Sequence, residues 1–556
     1  AGTCNQHCFT VHCHVFHTSP FRIAKSAATY CLIVSKPGCI IESPAMVRKM
    51  YIERDIMTNS FGLRSAVCAA ALLAGTAAHA DLTAAQVWED WKSQLGQYGE
   101  ENLTIGAEET SSGTVTVRDI TLSLVEEDVV VEMTIEDITF NEQSDGSVRV
   151  TMDESYPLTI TSVEGVVVTI MMTQSNLEMV VSGDSASMDY AISADSYEIA
   201  FQDAVDGDVT INGDARVIAR DLAGAYNVSK DSMRNISSDA SIGSIDLLVD
   251  FQVPGGEGEY VTAAAKINGM QTQSEAAVPR EMDLENPDDI FVKGFSVAGG
   301  YIIDSADYVF DINADGDQVA GSVSTGTVTL TGELNSKTVA YESRTNNIAV
   351  NLQASEVPLP IEISLAEYGF GFRMPVGTTD APADFGLKFD LVDLVIGDVI
   401  WDVFDPSRVL SRDPATLEIA LTGTARALID FLDPAQQAAM ESTEVPFELS
   451  SLSLDTLKIM AAGALFTGSG AFTFDNNDMQ TFAPLPRPEG DATFEITGLN
   501  KLLDNLVAMG LVPEQDIMGP RMMMGMFARS TGDDQMAIDV EIESSGQVKV
   551  NGNRVR

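Results

Sequence analysis

The stretch Ile361-Glu362-Ile363-Ser364-Leu365-Ala366-Glu367-Tyr368-Gly369-Phe370-Gly371-Phe372-Arg373-Met374 decides the fold. Ile361, Ile363 and Leu365 hold odd positions, whereas Tyr368, Phe370, Phe372 and Met374 hold even ones. Strict alternation marks a strand with one apolar face. A phase change of one residue would turn the apolar set to the other side. The reading is therefore a long strand with a β-bulge or break near Ala366.

Working outward, Leu387, Phe389 and Leu391 resume the alternation, and Leu417, Ile419 and Leu421 repeat it. Trp401-Asp402-Val403-Phe404-Asp405-Pro406 closes one unit and Arg412-Asp413-Pro414 opens the next. Phe447 to Phe474 reads as strands ending at Asp475-Asn476-Asn477-Asp478. Towards the N-terminus, Val129, Val131, Met133 and Ile135 alternate with polar residues up to the turn Ser144-Asp145-Gly146, after which Val148, Val150 and Met152 continue. Met188 to Phe201, Val209 to Ile211, Ile245 to Val253, Tyr308 to Ile312 and Val328 to Leu330 are of the same kind. Turns rich in Asp-Gly, Asn-Gly and Gly-Gly separate them, as in meanders.

Helices are expected only at the ends. Residues 82–98 place Val87, Trp91, Leu95 and Tyr98 on one face beside Trp88, with Thr83 as N-cap. Two tryptophans on one short helix suggest a plug against a sheet. Leu499, Leu502, Leu503, Leu506 and Val507 form one helical face ended by Gly510 and Pro513. Met518 to Phe527 is a second short helix, and Met536 to Val550 a closing hairpin. The expected fold is mainly β (α+β): extended antiparallel β-meander sheets, as a curved groove or two lobes, with short helical caps at both ends. Pro254-Gly255-Gly256 and the Pro-rich stretch 482–488 are linker candidates. They divide the chain into 81–255, an N-terminal β lobe with its leading helix; 256–480, a central β lobe; and 481–556, C-terminal helices and a closing hairpin.

Arg64 to Ala80 carries a basic residue, a short apolar run and small residues ending Ala78-His79-Ala80. That is the form of a secretory signal peptide, 57–80, cleaved before Asp81. Met57 or Met50 would make a natural start, so residues 1–56 read as disordered, mis-called upstream translation. Cys4, His7, Cys8, His12, Cys13, His14 and His17 fit no zinc or copper ligand spacing. Cys68 is not placed as a lipid-attachment cysteine. The expectation is a periplasmic protein, soluble after cleavage.

All six cysteines and all five histidines lie before residue 81. Residues 81–556 therefore lack the side chains for Ser-His-Asp and Cys-His catalysis, ordinary zinc sites and His- or Cys-ligated haem. They hold 25 Lys and Arg against 79 Asp and Glu, a net charge of −54. Such a surface repels nucleic acid and anionic lipid headgroups. No stretch after the signal reaches eighteen uninterrupted apolar residues, so no further membrane-spanning helix is expected.

Asp311-Ile312-Asn313-Ala314-Asp315-Gly316-Asp317 matches the first half of a calcium loop, with Asp311, Asn313, Asp315 and Asp317 as candidate Ca2+ ligands. Position twelve is Ser322, where a carboxylate is expected, and a plain hairpin turn explains the same residues. Met518, Met522, Met523, Met524, Met526 and Met536 could hold Cu(I) through thioethers. Adaptable packing of a helix on a sheet, or a lining for apolar ligands, is the plainer reading. There is no G-x-S-x-G, P-loop, G-x-G-x-x-G or S-x-x-K motif.

The segments Ala366 to Pro375, Ile400-Trp401 with Asp405-Pro406, Arg412 to Thr416, Ala471 to Asn476, Val507 to Leu511, Phe527-Ala528-Arg529 and Gly532-Asp533-Asp534 resemble domain-of-unknown-function family 2125. The resemblance covers most of the chain after residue 80 and implies an exported alphaproteobacterial protein. It carries no activity, cofactor or catalytic residue. The leading expectation is non-catalytic binding of a lipid or envelope protein on an apolar β surface. The alternatives are a carboxylate-only enzyme on envelope glycans, or a divalent-cation-dependent interaction module.

Overall fold

The computed structural model describes residues 82–96, 102–126, 129–207, 209–211, 213–230, 232–252, 258–279, 290–314, 316–433, 436 and 446–556. The upstream and signal segments 1–80, the linker candidate 254–256 and Asp315 lie outside them. The fold is mainly β: one large antiparallel sheet with four short helices among the described residues.

The first strands are β1 (Leu103–Ser111), β2 (Thr114–Glu126), β3 (Val129–Glu142), β4 (Val148–Met152), β5 (Ser155–Ser162), β6 (Val167–Ser175), β7 (Glu178–Gly183), β8 (Ser187–Asp206) and β9 (Val209–Ile211). The central strands are β10 (Gly213–Lys230), β11 (Met233–Gln252), β12 (Tyr260–Pro279), β13 (Ser296–Ala314), β14 (Asp317–Thr325), β15 (Val328–Leu334), β16 (Thr338–Ala354), β17 (Val357–Pro375) and β18 (Ala383–Ile396). The last are β19 (Ala415–Ala427), β20 (Phe447–Ala461), β21 (Ala464–Asp475), β22 (Arg487–Thr497), β23 (Arg529–Gly532), β24 (Gln535–Ile542), β25 (Val548–Val550) and β26 (Asn553–Arg554). From β10 to β13 and from β16 to β22 each strand pairs with the next. β14 and β15 lie end to end, both between β13 and β16. β24 follows β22. β11 and β12 pair along their length, ending with Gln252 opposite Tyr260.

The expected phase change near Ala366 is there, and it recurs across the sheet. On β11 the apolar set runs Ile236, Ala240, Ile242 and then Ile245, Val249, Phe251. On β12 it runs Val261, Ala263, Ala265, Ile267 and then Met270, Ala276, Val278. Each switch sits on a transverse seam of Asp, Asn and Gly. Asp119, Asp221, Asn347 and Asp393 have φ between 51° and 54°, and Gly269 has φ 60°. Ala366 lies between Asn347 and Asp393, and the β16–β17 register is unbroken there. The cause is a neighbour's left-handed residue, not an inserted one. A single left-handed residue leaves two successive side chains pointing outward, so the apolar face stays continuous along a kinked strand. Gly243 faces Asp221, whose Cβ would lie 2.9 Å from any Cβ added there.

At the N-terminal end this face is covered. Helix α1 (Ala84–Leu95) starts at a capping box, with Gln86 N donating to Thr83 Oγ1 and Thr83 N to Gln86 Oε1. Its Val87 and Trp88 are buried with Phe140, Val117, Val150, Val181, Met188 and Tyr190. Trp91 meets Phe140 edge-on, so the two tryptophans do act as a plug.

Candidate functional site

Beyond that plug, the apolar face is left largely uncovered by the described residues. No Val, Ile, Leu, Met, Phe or Tyr among the described residues between 229 and 375 is buried. On the same face Leu247, Val297, Tyr308, Ile312, Val319, Tyr368 and Leu387 are each 36–43% exposed. A monomer's interior normally hides such side chains. Here they form a stripe that crosses strand after strand.

On one side of the seam the face is concave. A trough of about 1200 Å³ there is lined by β10 to β13 and β15 to β19, and Leu387 is among its lining residues. Its apolar lining includes Ala240, Tyr301, Leu330, Tyr341, Phe372, Leu387 and Leu421. Tyr341 and Phe372 stack with ring centroids 6.2 Å apart, and Phe370 lies 6.0 Å from Phe372. Burial, then the nearby Tyr341 and Tyr308, push the Tyr301 phenol above its ordinary range, so it stays neutral. Of the charged lining residues, Arg373 pairs with Glu333 at 3.0 Å and Lys388 with the neighbouring Asp390 at 2.9 Å, while Asp239 and Glu275 add further negative charge. The trough thus presents mainly aromatic and aliphatic surface and backbone.

The four calcium candidates fall at the β13–β14 hairpin. Asp311 and Asn313 are on β13, and Asp317 opens β14 opposite Ala314. The strand alternation puts Asp317 on the other face from Asp311 and Asn313. The Asp311 carboxylate accepts from Tyr260 at 3.0 Å and from Gln318 Nε2 at 2.8 Å. Asp317 Oδ1 accepts from Ser355 at 3.4 Å. Asp315 lies outside the described residues. Among the described residues, no group of three or more His, Cys, Asp or Glu is placed to hold a metal.

The methionine-dense end departs from the expected packing. Helix α4 (Glu514–Phe527) buries only Ile517, while Met518, Met522, Met523 and Met526 are 62–69% exposed. It lies against helix α3 (Leu499–Ala508) rather than the sheet, with Arg521 donating to Asp504 at 2.6 Å. Hydrophobicity alone predicts burial, but α4 packs on α3 and leaves these methionines exposed.

The motif around Trp401 builds a tight loop. Helix α2 (Asp398–Phe404) ends at Asp405, which is 1% exposed and accepts from Val409 N and Leu410 N, both at 2.9 Å. Burial pushes that carboxyl up, but the two amides and Arg412 hold it below the usual range. Arg412 binds Asp398 and Asp402, each at 2.6 Å, with its guanidinium over Trp401.

Fold and face define a mainly-β protein with an open apolar trough. The chain belongs to DUF2125, described as uncharacterized protein conserved in bacteria, whose model matches residues 262–555. That match runs from β12 through the trough, the Trp401 loop and the C-terminal helices. No curated protein and no solved structure matches the chain.

Proposed function

We propose that this protein binds the acyl portion of a lipid along its sheet face, without catalysing a reaction. The uncovered apolar face of β11 to β18 carries this reading. Each methylene moved from water onto such a face contributes about 0.8 kcal/mol, so roughly a dozen contribute about 10 kcal/mol before ordering costs. The aliphatic and aromatic side chains that share this face suit an acyl chain better than a specific headgroup. The signal-like stretch 64–80 supports export to the periplasm, where the ligand would be an envelope lipid.

The test is mass spectrometry of organic extracts from protein purified gently from its native envelope. A stoichiometric lipid, absent from a control protein of the same compartment, is expected. Leu387→Glu should lose the lipid and keep the sheet by circular dichroism. A clean extract, together with no uptake of a fluorescent fatty acid, would overturn the reading.

A further inference from the structure

The helices other than α1 form a second apolar surface, separate from the trough. Asn505 of α3 donates to the Val409 carbonyl of the loop after α2 at 3.3 Å. Arg521 of α4 donates to the Asn500 carbonyl of α3, also at 3.3 Å. Val403 and Phe404 of α2, Leu511 after α3, and Met518, Met522 and Met526 of α4 are all exposed. Met518, Met522 and Met526, four residues apart, share one exposed face of α4, and an exposed apolar face of this kind marks an interaction site.

We propose that this face docks on a zwitterionic phospholipid bilayer. Charge selects the occupant. Residues 81–498 hold 19 Lys and Arg against 71 Asp and Glu, a net of −52, whereas 499–556 hold 6 against 8, a net of −2. Within the face Arg408 pairs with Asp398, Arg412 with Asp398 and Asp402, and Arg521 with Asp504. Arg521 is the one charged residue from Ile517 to Phe527. A second copy would bring another large negative charge close. An anionic bilayer would repel the rest of the molecule, and a zwitterionic one does neither. A helix of 14 residues is about 21 Å long, too short to span, so α4 lies at the surface with its exposed methionines against the acyl chains just below the headgroups. Methionine suits that place because its flexible thioether adapts to a fluid surface.

The full chain is mixed with phosphatidylcholine vesicles and sedimented at physiological salt. Co-sedimentation is expected, weakening when phosphatidylglycerol is added at low salt. Met518→Ser/Met522→Ser/Met526→Ser should reduce binding about tenfold or more by removing buried apolar surface. Val403→Ser, on a different helix, should reduce it in the same direction. All four side chains are exposed, so the melting temperature should not move. Absence of vesicle binding, or variants that bind like the wild type, would overturn the proposal. So would a concentration-dependent dimer that the triple variant abolishes, which would make the face a contact between copies. Lipid in an organic extract is measured separately, so docking and trough binding fail independently.

Discussion

The N-terminal end and the central sheet are made of the same alternating strands, but only the first has a core. From β1 to β8 the apolar face meets α1, and Val117, Phe140, Val148 and Val181 are completely buried. From β11 to β18 the same pattern buries no large apolar side chain among the described residues except near the strand ends, and Leu387 is 43% exposed. Alternation therefore specifies a sheet with one apolar side; it does not specify what lies against that side. The plug is also tied by polar contacts. Trp88 Nε1 donates to Glu108 at 3.1 Å, Ala84 N to Glu142 at 3.1 Å, and the Tyr190 hydroxyl to Asp90 at 3.2 Å. Burial, reinforced by Asp90, drives the Tyr190 phenol well above its ordinary range.

The largest effect expected from this contrast is in packing. Phe140→Ala should cost about 3–5 kcal/mol, because it removes a buried ring that contacts both tryptophans. Leu387→Ala should cost under about 1 kcal/mol in the unliganded protein, since much of its surface is already wet. Denaturant unfolding checks both. Equal losses would mean that the central face is covered after all, and the contrast would collapse.

The seam offers a sharper test of how the central face stays continuous. Asn347→Val should destabilise by about 1–2 kcal/mol, because a β-branched side chain at positive φ clashes with its own backbone. Asn347→Gly should be near neutral, because glycine takes that conformation freely. A Val variant as stable as the wild type would show that the strand straightens without cost, and the kink would not be what holds the face together.

Much of this was legible in the residues. Thr83 with Gln86, the spacing of Val87 and Trp88, and Ser144-Asp145-Gly146 gave the plug and the first hairpin, because short-range hydrogen bonds determine such features. The break near Ala366 was legible as a change of phase. Its recurrence at Asp221, Gly243, Gly269 and Asp304 was not read, because each looks locally like an ordinary polar interruption. Only the register aligns them into one line. The openness of the trough was equally hidden, since a covered and an uncovered apolar face share one pattern. Met518 to Met526 was misjudged for the same reason: composition reports affinity for apolar surroundings, not their presence.

The smallest effect concerns how the C-terminal helices are held. Where α1 is fixed by a core, α3 starts at Gly498 with no side-chain cap of its own. Asp534, from the β23–β24 turn, supplies one across the chain. Asn500 N donates to its Oδ1 at 3.1 Å and Lys501 N to its Oδ2 at 3.0 Å. Burial pushes this carboxyl up, but those two amides and the Asn500 side chain outweigh it and hold the pKa below the ordinary 3.8. Asp534→Ala should therefore cost about 1 kcal/mol at neutral pH, as losses of N-caps do. A carboxyl whose folded pKa is depressed contributes stability above its unfolded pKa and loses it as pH falls through the folded one. The difference in melting temperature between wild type and variant should be constant from pH 7 to 5, then shrink below about pH 4. General acid unfolding affects both proteins, so the difference isolates this carboxyl. A difference that persists unchanged to pH 3 would mean that Asp534 acts through packing, and α3 would then be held as α1 is.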